Sequence, residues 1–143
     1  MQHAAASRPG NGEPWVLVVD DDADTRAAFA EVLQEAGLRV VTAEDGDVAL
    51  RLVRERLPAL AIVDLVMPKV DGWSFMTALR ALPAGESVPV ISMTAHGTSI
   101  LAGAPVSQGY LAKPVSLADL LDAVGRLCGV STLRSTDRPP PLE

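Results

Sequence analysis

The sequence predicts an α/β domain: five parallel strands with helices packed on both faces. Two observations carry this. Five short apolar runs recur along the 143 residues, at 15–19, 38–42, 59–63, 88–93 and 109–112. Each is mostly unbroken by polar residues, as in strands covered on both sides. Segments of helical periodicity follow them, and strands that alternate with helices imply right-handed crossovers and a parallel sheet. A third observation concerns function: the first run stops at Asp20-Asp21-Asp22.

Each element has its own signal. After the first strand, Phe29, Val32, Leu33 and Ala36 fall on one helical face, and Gly37 stands where a C-terminal cap belongs. Val48, Ala49, Leu52 and Val53 form the second stripe, and Phe75, Met76, Leu79 and Leu82 the third. The last stripe is the longest: Leu117, Leu120, Leu121, Val124, Leu127 and Cys128, with Ser116 placed to cap it. The segment between the fourth and fifth strands contains Gly97, Gly103 and Pro105. It leaves room only for a short, weakly held helix near 98–103.

Composition bounds the function. Apolar residues make up 48% of the chain, enough for a packed interior, and aromatics only 3%, too few for a base-stacking surface. The net charge is -6 and no stretch is strongly basic, which argues against direct binding of nucleic acid or an anionic membrane. A single cysteine, Cys128, excludes an internal disulfide and a cysteine-based zinc site. There is no secretory signal and no membrane-length apolar stretch, so a cytoplasmic protein is expected. Residues 1–13 read as a flexible lead, 14–130 as the single domain, and 131–143, with Pro139-Pro140-Pro141, as a flexible tail.

In a parallel α/β sheet the strand carboxyl ends share one rim, and sites form there. Asp20 and Asp21 follow the first strand, Asp64 the third, Thr94 the fourth and Lys113 the fifth. Clustered carboxylates call for a neutralising partner. A divalent cation suits them, Mg²⁺ above all because it prefers carboxylate and water oxygens. An acidic helix cap accounts for the Asp20–Asp22 cluster equally well. Asp64, ionised at neutral pH and carried on a buried strand, is suited to accept a phosphoryl group. Lys113 would add a second positive charge and Thr94 a hydroxyl donor. Taken singly, Lys113 reads as a surface charge, Thr94 as a strand residue with a satisfied hydroxyl, and Tyr110 as half-buried packing. Trp73, after Asp71-Gly72, has two readings: packing at the start of the third helix, or exposure to a partner.

The chain resembles the bacterial response-regulator receiver domain over essentially all of 15–128. The resemblance lies in Val18-Val19-Asp20-Asp21, Val63-Asp64-Leu65-Val66-Met67-Pro68 with Asp71-Gly72, Met93-Thr94-Ala95, and Tyr110-Leu111-Ala112-Lys113-Pro114. It implies a flavodoxin-like, doubly wound sheet of strand order 2-1-3-4-5. It implies that Asp64 takes a phosphoryl group from the phosphohistidine of a sensor histidine kinase or a phosphotransfer protein. Mg²⁺ would be held by Asp20, Asp21, Asp64 and the backbone carbonyl of Val66. Thr94 and Tyr110 would form a switch pair, Lys113 would contact the phosphoryl group, and Lys113-Pro114 would be a cis peptide. Val66 and His96 would stand at positions that, in the family, influence the lifetime of the phosphoryl group; taken singly, His96 reads as a solvated loop histidine.

The expected protein is a stand-alone receiver acting on a downstream protein target, as monomer or as weak dimer through the face of the fourth helix, fifth strand and last helix. It would catalyse its own phosphorylation and dephosphorylation rather than turn over a separate substrate. A phosphorelay carrier is a close variant. The alternative from another class is a constitutive interaction module indifferent to phosphate. The short fourth helix argues slightly for it, and the complete set of Asp20, Asp21, Asp64, Thr94 and Lys113 argues against it, since a pure scaffold needs no costly acid cluster. A small-molecule phosphatase is disfavoured, because Val66 stands where a general-acid aspartate is needed and no Walker-type loop exists.

Overall fold

The computed structural model describes residues 14–65, 71–94 and 107–127. Val66, His96, Cys128, the helix expected near 98–103 and the segments expected to be flexible, 1–13 and 131–143, lie outside the described residues. Those described form β1 (Val16–Val19), α1 (Ala23–Glu35), β2 (Val40–Ala43), α2 (Gly46–Glu55), β3 (Leu60–Asp64), α3 (Asp71–Ala81), a 3₁₀ turn (Gly85–Ser87), β4 (Val90–Thr94), β5 (Gly109–Ala112) and α4 (Leu117–Leu127). The strands make one parallel sheet in the order β2-β1-β3-β4-β5. This is the expected doubly wound, flavodoxin-like arrangement.

Strand alternation sends neighbouring side chains to opposite cores. Val16 and Val18 of β1 pack with Leu60, Ile62, Ile91 and Met93 beneath α1 and α4, where Phe29, Leu33, Leu120, Ala123 and Val124 meet them. Leu17 and Val19 point the other way, to Ala49, Leu52 and Val53 of α2 and to Phe75, Met76 and Leu79 of α3. β1 and β3 are buried at every position. Burial of each such Val, Leu or Ile is worth roughly 1.5–3 kcal/mol against exposure, so the two central strands are the rigid part of the molecule.

The caps are where sequence placed them, with one addition. Gly37 has a left-handed backbone, φ 96, beyond the end of α1. Ser116 Oγ accepts from Asp119 N at 3.0 Å at the start of α4. The addition is Asp45, whose Oδ1 accepts from Val48 N at 2.9 Å and starts α2.

Some expectations shift. The second strand begins at Val40 rather than at 38, because the chain first turns at Gly37 before Arg39 O meets Val16 N at 2.8 Å. α1 stops before Ala36 and α3 before Leu82, although Leu82 still packs on the core. Leu117 belongs to the first turn of α4 but not to its buried face: it is 41% exposed. No helix among the described residues is long and apolar enough to cross a membrane.

Candidate functional site

The acid cluster divides its labour. Asp22 is the N-cap of α1, its Oδ2 accepting from Thr25 N at 2.8 Å and from Thr25 Oγ1 at 2.6 Å. Those two bonds stabilise the carboxylate and hold its pKa below the ordinary value. Asp20 and Asp21 do something else. With Asp64 from the end of β3, each offers one carboxylate oxygen to a group whose members lie within 4.8 Å of one another. The cap falls to Asp22, while Asp20 and Asp21 belong with Asp64 to a carboxylate group that could hold a cation, so the two readings fall on successive residues rather than competing for one.

Asp20 is fully buried and Asp64 is 1% exposed, whereas Asp21 stands at the surface and leaves the cluster open to solvent. Asp20 Oδ1 accepts from Asp22 N at 2.9 Å. Its Oδ2 is buried and has no hydrogen-bond partner among the described residues, though it is ion-paired with Lys113 Nζ at 3.4 Å. Burial is the main cause that pushes the Asp20 carboxyl above its ordinary pKa, with the Asp64 charge adding to it. A buried carboxylate oxygen met only by a 3.4 Å ion pair, beside two more carboxylates, is part of a hard-oxygen set that fits a small divalent cation.

Lys113 closes the cluster from the other side. Its Nζ donates to Asp64 Oδ2 at 2.8 Å, and its backbone N donates to Thr94 O at 2.8 Å, so the ends of β4 and β5 are held in step. Burial works against the Lys113 ammonium, but its hydrogen bond to Asp64 and the charges of Asp64 and Asp20 outweigh that and raise its pKa. The Lys113–Pro114 peptide is cis. Thr94, at the end of β4, is half-buried. Tyr110 pairs in register with Ser92 and is 43% exposed, on the surface rather than packed inside. Trp73 is half-buried in the first turns of α3.

Sequence reasoning passed over Arg26. Its Nη1 donates to Asp20 O at 2.7 Å, fixing the backbone that presents both acids. The available signal was a lone arginine one turn into the helix that follows the cluster.

The protein-family model for the response regulator receiver domain matches residues 16–125. The transcriptional regulatory protein PrrA of Mycobacterium tuberculosis is 40% identical over 119 residues, which are 82% of this chain and 51% of PrrA. The chain thus spans about half the length of that relative. Among solved structures, chemotaxis protein CheY4 of Vibrio cholerae superposes with a TM-score of 0.73 at 30% identity, covering 81% of this chain and 99% of CheY4. The receiver domain of sensor histidine kinase PA1611 of Pseudomonas aeruginosa, solved with a magnesium ion coordinated in its active-site cleft, gives 0.73 at 27% identity and covers 82% and 99%.

Proposed function

The chain belongs to the response regulator receiver domain family, the phosphoryl-accepting module of two-component signalling, and from that premise we propose that Asp64 is its acceptor and Mg²⁺ its cofactor. The observation that carries the proposal is the setting of Asp64: a carboxylate on a buried strand end, within 4.8 Å of two other carboxylates and 2.8 Å from an ammonium.

An Asp64 carboxylate oxygen attacks the phosphorus of a phosphohistidine on a sensor kinase or phosphotransfer protein. The O–P bond forms as the P–N bond breaks, and the electron pair returns to the imidazole nitrogen. Asp64 is rigidly held by β3, so positioning supplies much of the rate. Asp20, Asp21 and Asp64 would hold Mg²⁺, with the Val66 carbonyl as a further ligand. The ion would offset charge on the carboxylates and on the phosphoryl oxygens. The Lys113 ammonium and Thr94 hydroxyl donate to those oxygens once transfer has occurred. Movement of Thr94 and inward rotation of Tyr110 carry the change to the β5 face, where a downstream protein reads it.

Intact mass after incubation with acetyl phosphate tests the reading. A single phosphoryl adduct is expected with Mg²⁺, none with chelator, and none in Asp64→Ala. A wild type that folds yet takes no phosphoryl group from either acetyl phosphate or a phosphorylated kinase would reject it.

A further inference from the structure

Gly72 lies in the first turn of α3, against the end of β3. A Cβ there would overlap the carbonyl oxygen of Asp64 and stand 3.1 Å from its carbon and 3.3 Å from Leu65 Cα. All three are backbone atoms, so no side chain can swing aside. Gly72 is not in the left-handed region, which among the described glycines only Gly37 occupies. Glycine is therefore needed at 72 for space, not for backbone conformation. Alanine is the better helix former, and a helix interior without this contact would favour it.

We propose that Gly72 is a positioning residue for the acceptor: the backbone contact that it alone permits between α3 and β3 sets where Asp64 presents its carboxylate. The proposal rests on the reading of Asp64 as acceptor. α3 has little freedom to back away from an added methyl. Phe75, Met76 and Leu79 are buried beneath it. Arg80 Nη1, near its far end, donates to Gly85 O at 2.9 Å and Val88 O at 2.7 Å. β3 upstream of Asp64 is held by β1 on one side and β4 on the other. The overlap is relieved at the strand end, where Asp64 lies past the last β1 pair, at Val63, and is held on the β4 side alone, by its pairing with Met93 and the 2.9 Å bond from Leu65 N to Met93 O. A carboxylate displaced by about 1 Å loses in-line approach to phosphorus, which costs about a hundredfold in rate.

Two other glycines serve as controls. At Gly85 a Cβ would overlap Leu79 O just as severely, but past the far end of the same helix. At Gly109 it would meet only Leu127 Cδ1 at 3.6 Å and Ile91 Cγ1 at 3.7 Å, ordinary contacts. The experiment is the rate of phosphorylation by acetyl phosphate at saturating Mg²⁺, normalised to the folded fraction from circular dichroism. Wild type, Gly72→Ala, Gly85→Ala and Gly109→Ala are compared. Gly72→Ala should show a maximal rate lower by about a hundredfold with the half-saturating donor concentration unchanged. Gly85→Ala should lose stability but keep the wild-type rate, and Gly109→Ala should match wild type throughout. A variant that is unfolded at 25 °C is read in trimethylamine N-oxide, which restores the compact state. Gly72→Ala at the wild-type rate, or Gly72→Ala and Gly85→Ala slowed alike, overturns the proposal. A wild type that accepts no phosphoryl group overturns the acceptor reading together with this one, an outcome distinct from the other two.

Discussion

Lys113 and Asp64 are joined by a 2.8 Å hydrogen-bonded ion pair that ties the end of β5 to the end of β3, across the intervening β4. Its carboxylate is buried while the lysine side chain keeps 30% of its surface exposed. Removal of the ammonium leaves Asp64 and Asp20 as buried anions facing each other. Lys113→Met should therefore destabilise the metal-free protein by about 2 kcal/mol, below the fully buried limit because the lysine is partly solvated. Urea denaturation in chelator checks this. Added Mg²⁺ should recover more stability in the variant than in wild type, since it meets carboxylates with no competing cation.

Asp20 gives the opposite sign. It is charged at a cost, because burial raises its pKa above that of the unfolded chain. The folded state therefore binds the proton more tightly, and this residue's penalty is full above the folded pKa and disappears below the unfolded one. Asp20→Asn keeps an oxygen for the Asp22 N–H and sheds the charge. It should stabilise the metal-free protein at neutral pH by about 1 kcal/mol, with the gain shrinking as pH falls toward about 4. The stabilisation that wild type gains from Mg²⁺ should be lost. Thermal melts with Mg²⁺ and with chelator measure both effects.

Asp22 titrates in the other direction. Its bonds to Thr25 lower the folded pKa, so the cap stabilises above the unfolded pKa and that contribution is lost as pH falls through the folded one. Asn at this position caps without titrating. Wild type should exceed Asp22→Asn in stability at about pH 6, and the difference should vanish toward about pH 2. Paired denaturation curves across that range report it.

At the opposite end of the sheet, Arg80 donates to Gly85 O, to Val88 O and, at 3.2 Å, to Gln108 Oε1. Gln108 Oε1 also accepts from Val90 N at 2.8 Å, so the fork joins α3 to the starts of both β4 and β5. Arg80→Met should cost about 2–3 kcal/mol through the orphaned carbonyls. Arg80→Lys should recover little, because an ammonium cannot span a planar fork. Chemical denaturation of the two variants decides it.

The sequence disclosed much of this site because its chemistry sits at the ends of apolar runs. Asp20, Asp21, Asp64, Thr94 and Lys113 each follow a recognisable strand, and the parallel topology gathers strand ends on one rim. Contacts that depend on three-dimensional fit were not legible. The Arg26 grip on Asp20 O, the Arg80 fork and the space at Gly72 join residues through the packing of helix on sheet, and no periodicity encodes them. Asp45 was missed for a simpler reason: it follows Glu44 and precedes Gly46, and so reads as part of a polar loop although its side chain caps α2. Nor did the sequence anticipate Ala84, which takes the left-handed conformation at φ 65 so that the 3₁₀ turn can bring Gly85 against Leu79 O.

The most direct test of the account locates the phosphoryl group on the chain. Protein treated with acetyl phosphate and Mg²⁺ is reduced with borohydride, which converts an aspartyl phosphate to homoserine, and the peptides are mapped by mass spectrometry. The account predicts homoserine at position 64 alone, absent when Mg²⁺ is chelated. Homoserine at position 20 or 21 instead, or its absence from a phosphorylated protein, would contradict the assignment of Asp64 as acceptor.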